Sequence, residues 1–195
     1  MRFLSRKRCA AFAALLGAGG AAFAAEPPAA FAPCVVCHGA DARGVAPGAP
    51  TLAGQTDNYV QWQLVFFRLG RRKSEVMEPI AAGLSDDDIR AIGAYVATLP
   101  PRPAARPDSG DPLFARGKEV AARNRCANCH GDGYEGKGAA ARLTGQAEDY
   151  ALKALEDFKA SRRIGAGVSS MADALYGVDA ADLPALARFV TRAHD

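Results

Sequence analysis

Apolar and polar positions over residues 57–70 recur with a helical beat. Tyr59, Gln63, Phe66, Phe67 and Gly70 fall on one stripe at three- and four-residue spacing, which predicts an amphipathic helix with one face turned inward. Ser85-Asp86-Asp87-Asp88 resembles an N-terminal cap, and Ile89, Ile92, Tyr95 and Val96 follow it at helical spacing. Asp111-Pro112 predicts another helix start, with Asp as cap and Pro in the first turn. That helix runs through Leu113, Phe114 and Val120 towards Cys126. No segment sustains strand alternation, so the chain reads as all-α. Pro100-Pro101-Arg102-Pro103-Ala104-Ala105-Arg106-Pro107 reads as a stiff, extended connector.

The pattern occurs twice. Leu52-Ala53-Gly54-Gln55 returns as Leu143-Thr144-Gly145-Gln146, 91 residues later. At the same offset Tyr59, Leu64, Phe67, Arg71 and Arg72 meet Tyr150, Leu155, Phe158, Arg162 and Arg163. Further on the offset is 94, where Asp88, Tyr95 and Val96 meet Asp182, Phe189 and Val190. The second copy therefore carries about three extra residues, in Gly165–Ser170. Two tandem domains follow, 25–99 and 112–195, joined by the Pro-rich linker 100–111. Domains this small have marginal cores.

Residues 1–24 change the charge picture. Arg2, Arg6, Lys7 and Arg8 lead into an apolar segment, Ala10 to Phe23, and Ala22-Phe23-Ala24 offers a small-x-small cleavage site, the pattern of a secretory signal peptide. The segment is too short and Gly-rich for a convincing membrane span. Without residues 1–24 the formal charge falls from +3 to −1, with 20 basic against 21 acidic side chains. No basic footprint remains for nucleic acid. Export to the periplasm would oxidise bare thiols, and Cys9 leaves with the signal, so the four remaining cysteines need a chemical fate.

Those four form Cys34-Val35-Val36-Cys37-His38 and Cys126-Ala127-Asn128-Cys129-His130, the C-x-x-C-H pattern of c-type haem attachment. Each thiol adds across one haem vinyl group, and the two-residue gap presents both sulfurs from one helical turn. The adjacent His38 or His130 then lies under the ring, where a nitrogen can bind iron. Chance predicts about 0.002 such motifs from this chain's own frequencies. A thioredoxin-like redox pair would want a βαβ context, and a shared Cys₄ zinc site would want the pairs about 15–20 residues apart, whereas these start 92 apart. Beyond Met1 the chain has two methionines, Met77 and Met171, lying 39 residues after His38 and 41 after His130. One per half, at nearly the same offset, they are the candidate sixth ligands. The remaining histidine, His194, reads as a tail residue.

Both motifs, Pro50-x-Leu52-x-Gly54-Gln55, the Tyr59/Gln63/Leu64/Phe67/Gly70/Arg72 series, Met77, and Leu84-Ser85 leading to Ile89 and Tyr95 together resemble the di-haem class I cytochromes c, most closely the cytochrome c₄ family. The resemblance covers nearly the whole exported chain. It implies two cytochrome c domains, each wrapped around a covalently attached haem c with His/Met iron, the two haems facing one another. It also implies a periplasmic electron carrier for redox proteins such as a cytochrome bc complex, a terminal oxidase or a dehydrogenase, with peripheral membrane association possible.

Two departures from the family carry expectations. The family's Pro carbonyl accepts a hydrogen bond from the proximal His; Pro50 fits, but the second repeat has Ala141, which predicts two haems of different potential. Only Ala25–Pro33 precedes Cys34, and three of those residues are proline. They cannot form the α-helix that packs on the last helix of this fold, so the Ile89/Ile92/Tyr95 face is expected to be partly open, as a docking surface, or covered by the other domain. The Arg68, Arg71, Arg72, Lys73 cluster reads as a solvated helix end, with a haem propionate or a partner as the other option. Tyr, Phe and Leu positions of the stripes are expected around the haem.

His and Met on both axial positions leave iron no open site, which implies outer-sphere electron transfer. The main alternative is the haem subunit of a periplasmic or membrane-bound dehydrogenase complex. A di-haem peroxidase or a gas sensor would need an exchangeable site, against which the two methionines argue. The halves also differ in charge, −2 over 25–99 against +1 over 112–195, which could orient the molecule between two partners.

Overall fold

The computed structural model describes residues 26–106, 110–163 and 168–193. The signal-peptide reading of 1–24 and the tail residue His194 lie outside the described residues.

In the first half a 3₁₀ turn, Ala29–Cys34, runs into a one-turn helix, α1 (Val35–His38). Then come α2 (Asp57–Arg68), α3 (Met77–Ala82) and α4 (Asp86–Thr98). The second half repeats this order with a full helix in front: α5 (Pro112–Arg123), α6 (Ala127–His130), α7 (Glu148–Lys159), α8 (Val168–Tyr176) and α9 (Leu183–Arg192). Among the described residues there is no strand. The predicted caps hold: Ser85 and Asp88 bond each other's backbone N–H in a capping box, and Asp111 accepts from Leu113 and Phe114.

Each half has its own core. Val60, Leu64, Ile89, Ile92, Tyr95 and Val96 bring α2 onto α4. Val120, Leu183, Leu186, Phe189 and Val190 bring α5 onto α9. The expected open face on α4 is absent, because Ile89, Ile92 and Tyr95 are only 2%, 1% and 8% exposed. The proline-containing segment makes no α-helix, yet its six-residue 3₁₀ turn delivers Phe31, itself 1% exposed, edge-on to Tyr95 with centroids 5.0 Å apart. One ring does the covering that α5 performs in the second half through Phe114, which meets Phe189 at 5.1 Å. The docking role assigned to that face therefore falls away.

The connector is extended over 101–106 and crosses both L-x-G-Q loops. Gly54 and Gly145 have φ of +71° and +78°. A Cβ on Gly54 would lie 2.7 Å from the Pro101 ring, and one on Gly145 would overlap the Arg102 carbonyl oxygen. Only glycine fits either place.

Candidate functional site

In each half the motif forms a single helical turn that begins at the first cysteine and ends at a left-handed glycine, Gly39 or Gly131. All four thiols are free. Burial pushes the Cys34 and Cys126 thiols above the ordinary cysteine range, which keeps them protonated and slow to oxidise. The two pairs do not converge: among the described residues no group of three or more His, Cys, Asp or Glu is placed to hold a metal ion. That removes the shared Cys₄ arrangement.

His38 and His130 are both buried, at 5% and 7% exposure. His38 Nδ1 lies 2.9 Å from the Pro50 carbonyl oxygen and His130 Nδ1 lies 2.8 Å from that of Ala141. A carbonyl can only accept, so Nδ1 carries the proton and Nε2 keeps its lone pair. Burial holds both imidazoles below the usual histidine range, against the opposing pull of the carbonyl bonds. Each half thus offers a neutral imidazole, locked in the tautomer a metal requires, one residue from a free thiol. The Pro-to-Ala difference leaves the bond intact, since it uses the backbone.

Met77 and Met171 pack against the apolar clusters of their own halves, which include Cys34 and Cys126 respectively. Met77 opens α3. Its N–H bonds Ser74 Oγ at 3.1 Å, while the Ser74 N–H bonds Glu78 Oε1 at 2.8 Å, two bonds that tie Ser74 to the first turn of α3. Met171 lies inside α8. Lys159, from α7, holds the end of that segment by donating to the carbonyls of Leu175 and Val178. Its repeat partner Arg68 does the same to Leu84 at 3.0 Å and also pairs with Asp86 at 2.6 Å.

The halves meet through the repeated loops. Gln55 Nε2 donates to the Arg142 carbonyl at 2.7 Å, and its Oε1 accepts from Arg142 N at 2.9 Å. Gln146 does the same to Thr51, donating at 2.9 Å and accepting at 2.8 Å. Thr51 and Arg142 are repeat partners, as are the two glutamines, so the contact has approximate two-fold symmetry of the isologous kind.

Deeper in this contact the stripe residues part from their expected roles. Arg72 Nη2 donates to the Tyr150 hydroxyl and Nη1 to Gln63 Oε1, both at 2.7 Å. Arg163 Nη2 reaches the same Gln63 oxygen at 2.7 Å. The two arginines also pair as an isolated antiparallel bridge, and each guanidinium stacks on its own half's ring, Arg72 on Phe67 at 4.5 Å and Arg163 on Phe158 at 4.1 Å. Tyr59 and Tyr150 join this network. Burial pushes the Tyr59 phenol up; it pushes on Tyr150 too, but the flanking Arg72 and Arg163 outweigh it and hold that phenol below the tyrosine range.

Arg72 is thus no solvated helix end, and Tyr59 and Tyr150 serve the contact between halves. Of the expected cluster, Arg68 is bonded within its half, Lys73 lies 3.5 Å from Glu78, and Arg71 faces solvent. Sequence reasoning missed the arginine pair, although its signal was present: both copies keep arginine at the same repeat position.

The arrangement fits the implied cofactor. Among the described residues neither Arg72 nor Arg163 has a carboxylate at salt-bridge distance, and the buried Arg163 Nε has no hydrogen-bond partner. Two such cations at an internal boundary call for anions, and haem carries two carboxylates. With the thiol pair and the Nε2 lone pair, each half provides donors for ring edge, iron and propionate.

Comparison with known proteins agrees. The family model described as Cytochrome c matches residues 24–100 and 114–193. A cytochrome c4 of Thiocapsa roseopersicina is 36% identical over 67% of this chain and 71% of its own length. A thiosulfate dehydrogenase electron acceptor of Thiomonas intermedia is 35% identical over 84% and 81%. The crystal structure of reduced cytochrome c4 from Pseudomonas stutzeri superposes with a TM-score of 0.76 and 26% identity, covering 84% of this chain and 95% of that one.

Proposed function

The chain belongs to the cytochrome c family, in its di-haem cytochrome c4 branch, and on that premise we propose that it moves electrons between periplasmic redox proteins through two covalently attached haem c groups. The first half, 25–99, and the second, 112–195, each hold one, with residues 100–111 between. When bound, each haem supplies a one-electron iron couple with no bond made or broken to substrate.

The protein's own residues do the rest. Cys34 and Cys37, and Cys126 and Cys129, anchor the two rings as thioethers. His38 and His130 would offer Nε2 to the iron, each ring held by its Nδ1–H bond to a carbonyl. Met77 and Met171 would offer the iron their sulfurs, soft donors that favour the reduced state. Arg72 and Arg163 offer cations to the propionates. The Gln55 and Gln146 ladders keep the two halves in one orientation, so little rearrangement accompanies transfer.

The observation that carries this reading is the doubled histidine geometry: a buried ring, tautomer locked, beside two free thiols, in each half. Haem counting with a spectroelectrochemical titration tests it. Two haems per chain and two separate one-electron waves are expected, separate because Pro50 in one half corresponds to Ala141 in the other. A single haem, or iron lacking the methionine-to-iron absorption band in the parent protein, would overturn the carrier assignment. A peroxidase would instead show peroxide consumption by the parent protein, which needs an exchangeable position at one iron.

A second reading is favoured by the relative named a thiosulfate dehydrogenase electron acceptor: this chain receives electrons from a dehydrogenase as its dedicated haem partner. Co-purification with such an enzyme supports it, and a freely diffusing monomer that no dehydrogenase reduces counts against it. The periplasmic location rests on the signal at 1–24. Among the described residues no helix is long and apolar enough to cross a membrane.

A further inference from the structure

We propose that Gln63 is a positioning residue that makes the potential of each haem depend on both halves, by holding Arg72 and Arg163 on one oxygen. The inference rests on the two-haem reading above. Arg72 comes from the first half and Arg163 from the second, and each donates to Gln63 Oε1 at 2.7 Å. Two guanidiniums at that separation repel one another, and in a poorly solvated boundary the repulsion is larger than in water. A neutral carbonyl oxygen bonded to both removes much of that cost without neutralising either.

The rest of the network comes in symmetric pairs: Arg72 with Arg163, Phe67 with Phe158, Tyr59 with Tyr150, each 91 residues apart. The clasp does not. The position 91 residues after Gln63 is Ala154, which has no acceptor. A single side chain, carried by the first half, therefore joins both cations. Stacking on Phe67 and Phe158 fixes the guanidinium planes, and the backbone bridge between Arg72 and Arg163 fixes their spacing. What Gln63 adds is the tie that lets movement of one guanidinium be felt by the other.

A positive charge beside a haem favours the reduced, less positive iron. If Gln63 places both cations, removing its acceptor lowers both potentials together; if its bond to Arg163 carries no weight in the second half, the substitution disturbs the first half alone. Gln63→Leu, similar in size but without an acceptor, is titrated as the full-length holoprotein by spectroelectrochemistry, after haem counting and circular dichroism show two haems and native helicity. Both waves are expected to shift to lower potential. Gln63→Glu keeps an acceptor and adds a negative charge, and is expected to lower both further.

One wave moving alone, or neither moving, in whichever variant retains both haems overturns the proposal. A parent protein with fewer than two haems overturns instead the reading on which it rests, and the haem count separates the two failures.

Discussion

The two halves share helix order, motif and histidine geometry, yet they differ at several exposed positions. Val36, Val45, Trp62, Leu69 and Val76 are exposed in the first half. At the matching repeat positions the second half has Asn128, Lys137, Lys153, Ala160 and Ser170. Val36 lies within the first motif, and the Val45 N–H bonds the Cys37 carbonyl at 3.0 Å, so the first motif has an apolar rim. The second is rimmed by exposed polar and charged side chains, Arg125, Asn128, Asp132, Glu135 and Lys137. In the contact between the halves Gln55 with Gln146 and Arg72 with Arg163 have stayed paired, while Gln63 stands opposite Ala154. After duplication, the surfaces were free to specialise, whereas most side chains that bond across the contact were not.

The largest effects are expected at the methionines. Met77→Ala and Met171→Ala should each remove about half of the methionine-to-iron absorption band and lower the potential of one half, because a soft axial donor is lost. Absorbance and titration read both. If either variant left the band whole, the two halves would not be equivalent at iron.

Next comes the plug over α4. Phe31→Ala should cost about 3–5 kcal/mol, since the ring is fully buried and no helix stands behind it. Phe114→Ala should cost less, because that ring is only half-buried and α5 keeps Val120 and Ala121 in place. Denaturant unfolding followed at each Soret band would compare them, and equal losses would contradict the single-ring account of the first half.

Gln55→Ala and Gln146→Ala should each weaken the contact by about 1–3 kcal/mol, leaving buried backbone groups unpaired. Approximate two-fold symmetry requires similar losses in the two variants. A large disparity in their unfolding midpoints would break that symmetry.

The smallest effect separates the two rims. Val36→Lys should slow electron exchange with a protein partner by about ten-fold, equivalent to about 1.4 kcal/mol, while Asn128→Lys should change it little. Stopped-flow mixing with a reduced donor protein would show this. Equal slowing at both positions would mean that partners do not distinguish the halves.

Much of the molecule was legible in the chain. Thioether attachment demands two thiols and a ligand within one helical turn, so C-x-x-C-H is written locally. The caps at Ser85 and Asp111 are equally local, each a side chain bonding N–H groups two or three residues ahead. The misreadings share a cause. The α4 face looked open because no helix could precede Cys34, and a lone Phe31 filled it. Arg72 looked like a solvated helix end because Tyr150, which its guanidinium bonds, stands 78 residues away.

The amino-acid order alone determined that this is a duplicated, helical, two-haem protein, because covalent chemistry, capping and helical periodicity act over a few residues. Only the tertiary structure decided which charged and aromatic side chains leave solvent, and that Gln63 holds an arginine from each half. Burial is a property of two surfaces brought together, and nothing in the spacing of one surface specifies the other.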